Sequence, residues 1–285
     1  MSKLSKTNCA IIQVDCDRDW QDVNISVDIL GKLLDIFERY NIKATWFTVG
    51  NDLENTAYRD FFASLIPRKH EIGNHTYSHK RNFHLLDYKE KYYEIVQCDK
   101  NIRELGFDPV GFRAPYFAAD ETMFSILSTL DYKYDSSICP SPYLPLLGTI
   151  KDIMNRRQVG NCISNKGNNL NFDINGNRIK EIPVSVFPVL RFPVHASYAM
   201  VLPYKIAYKY TETTINRFLY SKKPLIYVLH LNDLCPPKYF VSSEFKCFMP
   251  YEKRVDFIKR VCYRMQESFE ITLTKDYAKE KKYLL

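Results

Sequence analysis

Two short segments of the sequence carry acidic and imidazole side chains at spacings suited to metal chemistry. In the first, Asp15 and Asp17 follow an apolar run, and residues two apart in an extended chain point to the same side. Two carboxylates this close repel each other unless a cation or a proton separates them, so one can ligate a metal while the other acts as a base. A solvated turn shared with Asp19 and Asp22 is the alternative, because a D-x-D sequence alone is common.

The second segment, His-Thr-Tyr-Ser-His, contains His75 and His79. A spacing of four residues brings two imidazoles to one face of a helical turn, which is the geometry of a metal chelate. A pair of surface histidines is the alternative interpretation. Because the whole chain has six histidines, two at this spacing favour metal binding.

One carboxylate and two imidazoles leave open positions on a metal for a water and a carbonyl oxygen. A metal held in this way lowers the pKa of its bound water towards about 7. Non-haem iron oxygenases use the same donor set, but they usually take it from a β-sandwich with an H-x-D motif, and the sequence has neither feature. The donors therefore favour metal-assisted hydrolysis. We expect a divalent metal, zinc first, with cobalt, nickel, manganese and iron as alternatives.

The elements around these motifs alternate between strands and helices. Apolar patterns predict strands at 9–14, 42–49, 71–72, 109–113, 182–186 and 225–231, and helices at 25–40, 53–66, 86–105 and 121–130. This alternation indicates a parallel sheet, and at this chain length a barrel is the natural closure. Both motifs and Arg113 follow the carboxyl ends of predicted strands, where such folds place their chemistry.

The remaining sequence predicts one domain spanning residues 1–285, because no Gly/Ser-rich or Pro-rich linker divides it. Residues 137–180 are rich in Asn, Gly, Pro and Ser and are interpreted as an irregular insertion. The segment 182–210 is apolar, aromatic and basic, and four prolines interrupt it. It is either a packed barrel edge or a surface that contacts a membrane interface.

Composition narrows the classes of partner. The chain has 21 Tyr and 18 Phe but 9 Gly, which suits a packed enzyme with stacking surfaces for a sugar ring. A net charge of +7 fits an anionic substrate or a membrane surface, and without a nucleic-acid motif we expect no nucleic-acid partner. The apolar run at 9–14 is too short for a signal peptide, and the eight cysteines form no C-x-x-C pair. We therefore expect a cytoplasmic location, at the inner face of the membrane if the protein contacts one.

Taken together, the motifs resemble those of the polysaccharide deacetylases of carbohydrate esterase family 4, the Nod-factor deacetylase homology group. The resemblance covers about residues 8–235. The five counterparts, in order, are Asp15-Cys16-Asp17, the segment from His75 to His79, Arg113-Ala114-Pro115-Tyr116, Tyr134-Asp135-Ser136-Ser137 and Leu229-His230. The most specific part is H-[ST]-x-x-H followed downstream by R-x-P-Y.

This resemblance implies a distorted (β/α)₇ barrel and a division of labour between the two aspartates. Asp15 would be the general base, with Arg113 pairing with it and orienting it. Asp17, His75 and His79 would be the metal ligands. A carboxylate beside a metal and an arginine stays ionised, as a base requires.

The resemblance also implies roles on the acyl and amine sides of the substrate. The backbone N–H of Tyr116 would help to bind the tetrahedral oxyanion. His230 would protonate the leaving amine, and Leu229 would line the pocket for the acyl methyl group.

Two departures from the family pattern affect these implications. The family commonly has two adjacent aspartates, in D-D-G, whereas Cys16 separates them here. A D-x-D motif of this kind occurs in a similar cytosolic branch that acts on lipid-linked sugars and includes a deformylase. It also occurs in allantoinase-like relatives. The usual D-x-x-x-W of the fourth motif, which supplies the partner of the catalytic histidine, is absent. Asp135, Glu181 and Asp233 are the alternatives, and Asp135 with its two serines is equally interpreted as a turn or helix cap.

The resulting hypothesis is a hydrolase that removes an acetyl or formyl group from an amino sugar in envelope-polysaccharide or lipopolysaccharide synthesis. A nucleotide- or lipid-linked precursor is the expected substrate. Two alternatives stay open: an allantoinase-like hydrolase of a small cyclic amide, and a non-catalytic sugar-binding barrel.

Overall fold

The computed structural model describes residues 8–142, 171–174, 177–239 and 249–279. The strands are β1 (Cys9–Asp15), β2 (Thr45–Thr48), β3 (Glu71–Asn74), β4 (Gly111–Phe112), β5 (Tyr134–Asp135), β6 (Asn171–Ile174), β7 (Asn177–Glu181), β8 (Leu225–His230) and β9 (Glu270–Ile271). The helices are α1 (Val23–Arg39), α2 (Thr56–Ala63), α3 (Tyr88–Glu104), α4 (Glu121–Thr129), α5 (Ala196–Met200), α6 (Tyr204–Ser221), α7 (Tyr251–Ser268) and α8 (Thr274–Lys279).

These strands form one nine-stranded sheet in the order β6-β7-β5-β4-β3-β2-β1-β8, with β9 beside β1. The β6–β7 pair is antiparallel, and the other described strand pairs are parallel. Parallel neighbours require crossovers, and helices α1 to α4 supply them along the first half of the chain. The predicted α/β barrel class is confirmed.

Irregular backbone bridges the two ends of the parallel part of the sheet. The amide of Val184 donates to Ile138 O at 2.8 Å, and the amide of Ser185 donates to Ile226 O at 3.4 Å. A single parallel bridge also joins His195 to Val228 of β8. Non-strand segments therefore close the barrel between β7 and β8, which is the distortion expected of the (β/α)₇ form.

Strand β1 illustrates why the sequence folds in this way. All seven of its residues are buried, and a nearly continuous apolar run is typical of a parallel strand covered on both faces. The following helix, α1, begins where the Asp22 carboxylate accepts a hydrogen bond from the amide of Asn24 at 2.9 Å. Asp22 is thus a helix cap, and the alternative of one solvated turn shared by four aspartates is wrong.

Three predicted elements differ from the structure. The helix expected at 53–66 is a 3₁₀ turn at Gly50–Glu54 followed by the shorter α2, because the Asn55 side chain caps a new helix through the amide of Tyr58. The strand expected at 182–186 is absent among the described strands, and β7 ends at Glu181; Pro183 has no N–H to donate to a strand ladder.

The predicted insertion at 137–180 is also partly wrong. Strands β6 and β7 form an antiparallel hairpin inside it, with Asn171 opposite Lys180. Strand β6, Asn-Phe-Asp-Ile, alternates polar and apolar residues over four positions only, and β7 has one apolar residue, so neither gives a strong strand signal in sequence. Residues 143–170 of this segment lie outside the described residues, and the prediction of a single domain stays a prediction.

A buried polar network fills the amino-terminal end of the barrel. The Glu71 carboxylate accepts from Thr45 Oγ1 and Tyr134 OH, each at 2.7 Å, and from the amide of Lys275 at 3.0 Å. The neighbouring Thr274, at the start of α8, is 2.7 Å from Thr45 between their hydroxyl oxygens. Helix α8 thereby covers this end of the barrel and leaves the carboxyl ends of the strands for chemistry. Among the described helices, none has the length and apolar content to cross a bilayer.

Candidate active site

Three side chains converge at the carboxyl ends of β1 and β3. Asp17, His75 and His79 each offer one ligand atom, and these atoms lie within 4.8 Å of one another. The Nδ1–H of His75 donates to the carbonyl oxygen of Arg113 at 2.8 Å, which fixes the ring and directs Nε2 away from that carbonyl. A hydrogen bond of this kind commonly orients a metal-binding histidine. The predicted ligands are therefore brought together.

The loop that carries the two histidines is not the helical turn expected from their spacing. Thr76 and His79 both lie in the left-handed region, with φ of 68° and 51°. The loop is held by the amides of Gly50 and Asn51, which donate to Thr76 O and Tyr77 O at 2.9 and 2.8 Å. The imidazoles still converge, with ring centroids 4.8 Å apart, because a tight loop brings them together.

The chemistry of this triad fits a divalent cation. Burial lowers the pKa of His75 and of His79 to about 4, so both rings are neutral near pH 7, as metal ligands must be. Burial also raises the pKa of Asp17, whose Oδ1 is buried with no hydrogen-bond partner among the described residues. A buried carboxylate oxygen without a donor is costly, and a bound cation would relieve that cost.

The second aspartate has different surroundings. The Arg113 Nη1 donates to Asp15 Oδ2 at 3.2 Å, and His230 Nε2 is 3.5 Å from the same oxygen. Burial acts to raise the pKa of Asp15, but Arg113 and the nearby imidazoles outweigh it and hold that pKa below its usual value. Asp15 is consequently ionised at neutral pH and able to accept a proton.

Arg113 is itself fixed on several sides. Its Nη2 donates to Gln13 Oε1 and, at 3.1 Å, to Ser136 Oγ. Its guanidinium carbon lies 4.7 Å from the ring centroid of Phe47 and 5.3 Å from that of Phe117. A guanidinium held between aromatic rings and hydrogen bonds has little freedom to leave Asp15.

His230 ends β8 and faces the two aspartates. Its Nε2 is 3.9 Å from Asp17 Oδ1, and its ring packs against that of His195 with centroids 4.4 Å apart. Burial acts to lower the pKa of His230, but Asp17, Asp15 and Asp233 outweigh it and raise the pKa above 6.5. A protonated His230 is suited to donate a proton.

Among the three carboxylates considered as partners of this histidine, Asp233 is the one hydrogen-bonded to it, through the backbone amide; the ring Nδ1 has no hydrogen-bond partner among the described residues. Its Oδ2 accepts from the amide of His230 at 2.8 Å, and its Oδ1 accepts from Ser197 Oγ at 2.5 Å. Asp135 and Glu181 instead lie side by side in β5 and β7. Asp233 follows His230 by three residues, at the far end of one short 3₁₀ turn.

The two residues expected to contact the acyl group differ in their placement. Tyr116 has a left-handed backbone with φ of 55°, and its ring lies 5.2 Å from that of His79 between centroids. Leu229 is buried in the core with Val14, on the face of β8 opposite His230. The structure therefore does not bring Leu229 to the site, and the alternation of side chains along a strand already indicates this. Val228 shares the face of His230.

Several residues at the site went unrecognised in the sequence. Gln13 and Ser136 hold Arg113, and His195 packs on His230. The sequence does give a sign of Gln13, because a polar residue inside the apolar run of β1 must have a buried polar partner. His195 lies in an apolar, proline-interrupted segment whose irregular backbone gives no periodic pattern.

Sequence comparison matches part of the chain to one family. Residues 18–134 match the family model described as polysaccharide deacetylase. Among curated relatives, the peptidoglycan deacetylase of Helicobacter pylori is 27% identical over 124 residues, which are 43% of this chain and 41% of that protein. The peptidoglycan-N-acetylglucosamine deacetylase of Bacillus cereus is 33% identical over 91 residues, 32% of each chain. Each alignment thus spans less than half of the relative's length.

Solved structures give the fold. A polysaccharide deacetylase candidate from Mycobacterium smegmatis superposes with a TM-score of 0.63 at 14% identity, covering 98% of this chain and 91% of that one. A family 4 pseudoenzyme from Bacillus anthracis superposes with a TM-score of 0.55 at 12% identity, covering 96% and 67%. The predicted resemblance is confirmed for residues 18–134, which match the polysaccharide deacetylase model, and the described residues have the barrel fold of these solved structures. The D-x-D branch within the family stays a prediction.

Proposed function

We propose that the protein is a metal-dependent hydrolase that removes an N-acyl group from an amino sugar. The observation that carries the proposal is the convergence at one end of the barrel of the Asp15–Arg113 pair, the ligand atoms of Asp17, His75 and His79, and the His230 ring that faces both aspartates. An N-acetyl group is the first expectation, because the curated relatives are deacetylases of peptidoglycan and chitin. A formyl group is the alternative.

Asp17, His75 and His79 are the proposed metal ligands. When bound, a divalent metal, zinc first, would polarise the substrate carbonyl and make a water molecule more acidic. Asp15 takes the proton from the attacking water as oxygen adds to the carbonyl carbon, while Arg113 keeps that carboxylate ionised.

Collapse of the tetrahedral adduct completes the hydrolysis. The amide of Tyr116 donates to the oxyanion, as in comparable sites where such a donor is worth about 2.7–4 kcal/mol. His230 gives its proton to the amine nitrogen as the C–N bond breaks. The products are a free amino sugar and a carboxylic acid, so every proton in the step is accounted for by Asp15 and His230.

We further propose that the substrate is a nucleotide- or lipid-linked amino sugar of envelope-polysaccharide or lipopolysaccharide synthesis, met at the cytoplasmic face of the membrane. Support comes from the +7 net charge and from Val189 and Leu190, which are 73% and 63% exposed. Exposed Tyr93, whose ring contacts Tyr77 in the His75–His79 loop, offers a stacking surface for a sugar near the site.

One second candidate rests on a specific observation. A pseudoenzyme from Bacillus anthracis shares the fold, so the barrel by itself does not require catalysis. A non-catalytic sugar-binding protein would bind the amino sugar without turnover, and an allantoinase-like enzyme would open a cyclic amide instead.

Release of acetate and formate distinguishes these proposals. Zinc-loaded protein is incubated with N-acetylglucosamine oligomers, UDP-N-acetylglucosamine, their N-formyl counterparts and allantoin. Acyl release from a sugar supports the proposed function, whereas binding without release supports the non-catalytic barrel, and ring opening of allantoin supports the third alternative.

A further inference from the structure

A buried pair of carboxylic acids lies beside the site and has no part in the proton transfers described above. Asp135 and Glu181 are 0% and 2% exposed and are paired residues of the parallel strands β5 and β7. Glu181 Oε1 accepts from the amide of Ile138 at 3.0 Å, but Glu181 Oε2 is buried and has no N–H or O–H donor among the described residues. Such a pair needs an explanation, because two buried carboxylates repel unless they share a proton.

The surroundings indicate which acid carries the proton. Asp135 already accepts two hydrogen bonds, from Ser137 Oγ at 2.6 Å and from the amide of Ser137 at 2.9 Å. Burial and the adjacent Asp135 raise the pKa of Glu181 well above its usual range. Glu181 is therefore the protonated member, and its O–H donates to the Asp135 carboxylate.

Ser137 connects this carboxylic acid pair to the loop at residues 113–117. With its hydroxyl proton directed to Asp135, Ser137 Oγ presents a lone pair, and it accepts from the amide of Ala114 at 2.7 Å. Ala114 lies between Arg113, which holds Asp15, and the Pro115-Tyr116 step. The chain of bonds therefore runs from Glu181 through Asp135 and Ser137 to the backbone of that loop.

The backbone of this loop is strained and requires contacts that fix it. Tyr116 and Phe117 are consecutive residues in the left-handed region, with φ of 55° and 57°. Each such residue other than glycine costs on the order of 1–3 kcal/mol and persists where the surrounding structure enforces it. The amide of Tyr116 belongs to this strained step, so its direction depends on where Ala114 is fixed.

We propose that Glu181, Asp135 and Ser137 form a positioning unit that fixes Ala114 and thereby aims the Tyr116 amide at the oxyanion. The proposal rests on the proposed function and adds three residues to it, none of which contacts the reacting atoms. It also gives the Asp135-Ser136-Ser137 segment a role other than as the partner of His230.

Ser137→Ala removes the acceptor of the Ala114 amide. We expect kcat to fall by about tenfold or more while KM stays within about threefold, because a donor to the transition state is misplaced and no ground-state contact is removed. Ser185→Ala is the matched control: Ser185 Oγ also accepts a buried backbone amide, from Ile226 at 2.9 Å, outside this unit. A wild-type kcat in Ser137→Ala, or an equal loss in the control, would overturn the proposal.

Substitutions of Glu181 test whether its side chain is protonated and donates a hydrogen bond to Asp135. The kcat of Glu181→Ala should fall by as much as that of Ser137→Ala. Glu181→Gln should recover activity to within about threefold of wild type, because its amide N–H replaces the O–H to Asp135 and its carbonyl still accepts from Ile138. Equal losses in both Glu181 variants would contradict a protonated Glu181.

A binding measurement separates positioning from general damage to the fold. The probe is a methylphosphonamidate of glucosamine, which imitates the tetrahedral adduct. Across these variants its inhibition constant should rise by the factor by which kcat/KM falls, while the dissociation constant of the product glucosamine stays constant. Parallel weakening of both ligands would indicate structural damage and would reject the positioning role.

Amide hydrogen exchange tests the positioning unit without relying on catalytic turnover. In Ser137→Ala the amides of Ala114, Tyr116 and Phe117 should exchange faster than in wild type and in Ser185→Ala, with the loop at 75–79 unchanged. That result supports the positioning unit even if wild-type protein releases no acyl group from any sugar. Unchanged exchange at these three amides would overturn it.

Discussion

At the residue scale, Asp15 and Asp17 are two aspartates whose surroundings shift their pKa values in opposite directions. Asp15 pairs with the Arg113 guanidinium, and its pKa is lowered; Asp17 has no such pair, and burial raises its pKa against the opposing effect of His230 and His75. Environments that push the pKa values of two neighbouring acids apart are the mark of a divided acid–base task. The structure therefore supports assigning the base to Asp15 and the ligand to Asp17, a division that the sequence took from family resemblance.

Asparagine substitutions separate these two roles. Asp15→Asn should keep the metal yet lose about 10²–10⁴-fold in kcat, because an amide cannot accept the proton of the attacking water. Asp17→Asn should lose the metal, because a neutral amide oxygen is a poor replacement for a carboxylate ligand. Metal content by mass spectrometry and acyl release measure the two effects, and normal turnover by Asp15→Asn would remove it as the base.

Strand ends and tight loops determine the site at the element scale. The apolar strands β1 and β8 were predicted within one residue at each end, because their sequences carry a strong signal. The two-residue strands β4 and β5 and the hairpin of β6 and β7 are too short to give a clear periodic signal in sequence. The left-handed loop from His75 to His79 depends on backbone contacts with the Gly50 region, which local spacing cannot reveal.

His70, which precedes β3, gives the fold a predictable dependence on pH. Its Nδ1 accepts from the amide of Ala44 and from Trp46 Nε1, each at 3.1 Å, so protonation there removes an acceptor from two buried donors. Burial lowers the pKa of His70 to about 4, against about 6.5 in the unfolded chain. The unfolded state therefore binds the proton first on acidification, and the stability contributed by His70 is complete above pH 6.5 and lost as pH falls towards 4.

Urea unfolding at several pH values measures this contribution. Between pH 7.5 and 5.0 the midpoint of the wild type should fall further than that of His70→Gln, which lacks the titrating group. Equal slopes for the two proteins would show that His70 does not contribute in this way.

Gly111 tests the packing of β4 against β5. A Cβ at this position would lie 1.9 Å from Cζ of Tyr134, whose hydroxyl donates to the buried Glu71. Gly111→Ala should therefore lower the free energy of unfolding by at least about 1–3 kcal/mol. Gly31→Ala in α1 is the control, because a methyl group there would meet no atom within 4 Å other than those of its chain neighbours and its own helix backbone, and alanine favours a helix by roughly 0.5–1 kcal/mol. A stable Gly111→Ala protein in urea unfolding would contradict the packing.

At the scale of the whole molecule, the barrel separates a structural end from a chemical end. Thr274 and Lys275 join the polar network at the amino ends of the strands, and the aspartates and histidines occupy the carboxyl ends. The alternation of strands and helices was enough to predict this arrangement. The closure between β7 and β8 was not predictable, because it uses the irregular segment around Ser185.

Exposed apolar residues give the proposed membrane contact a test of its own. Replacing Val189 and Leu190 with serine should reduce the fraction of protein that floats with anionic phosphatidylglycerol vesicles, because burial of apolar surface at the interface is lost. Tyr220→Ser is the control, since Tyr220 is 83% exposed on α6. Equal flotation of all three proteins would argue against this contact.

The central claim is that the site hydrolyses an N-acyl amino sugar with a metal held by Asp17, His75 and His79. The most direct measurement is acetate and formate release by wild-type protein before chelation, after chelation, and after return of one equivalent of zinc. Turnover should disappear when the metal is removed and return when zinc is added back. Full activity in metal-free protein would contradict the account.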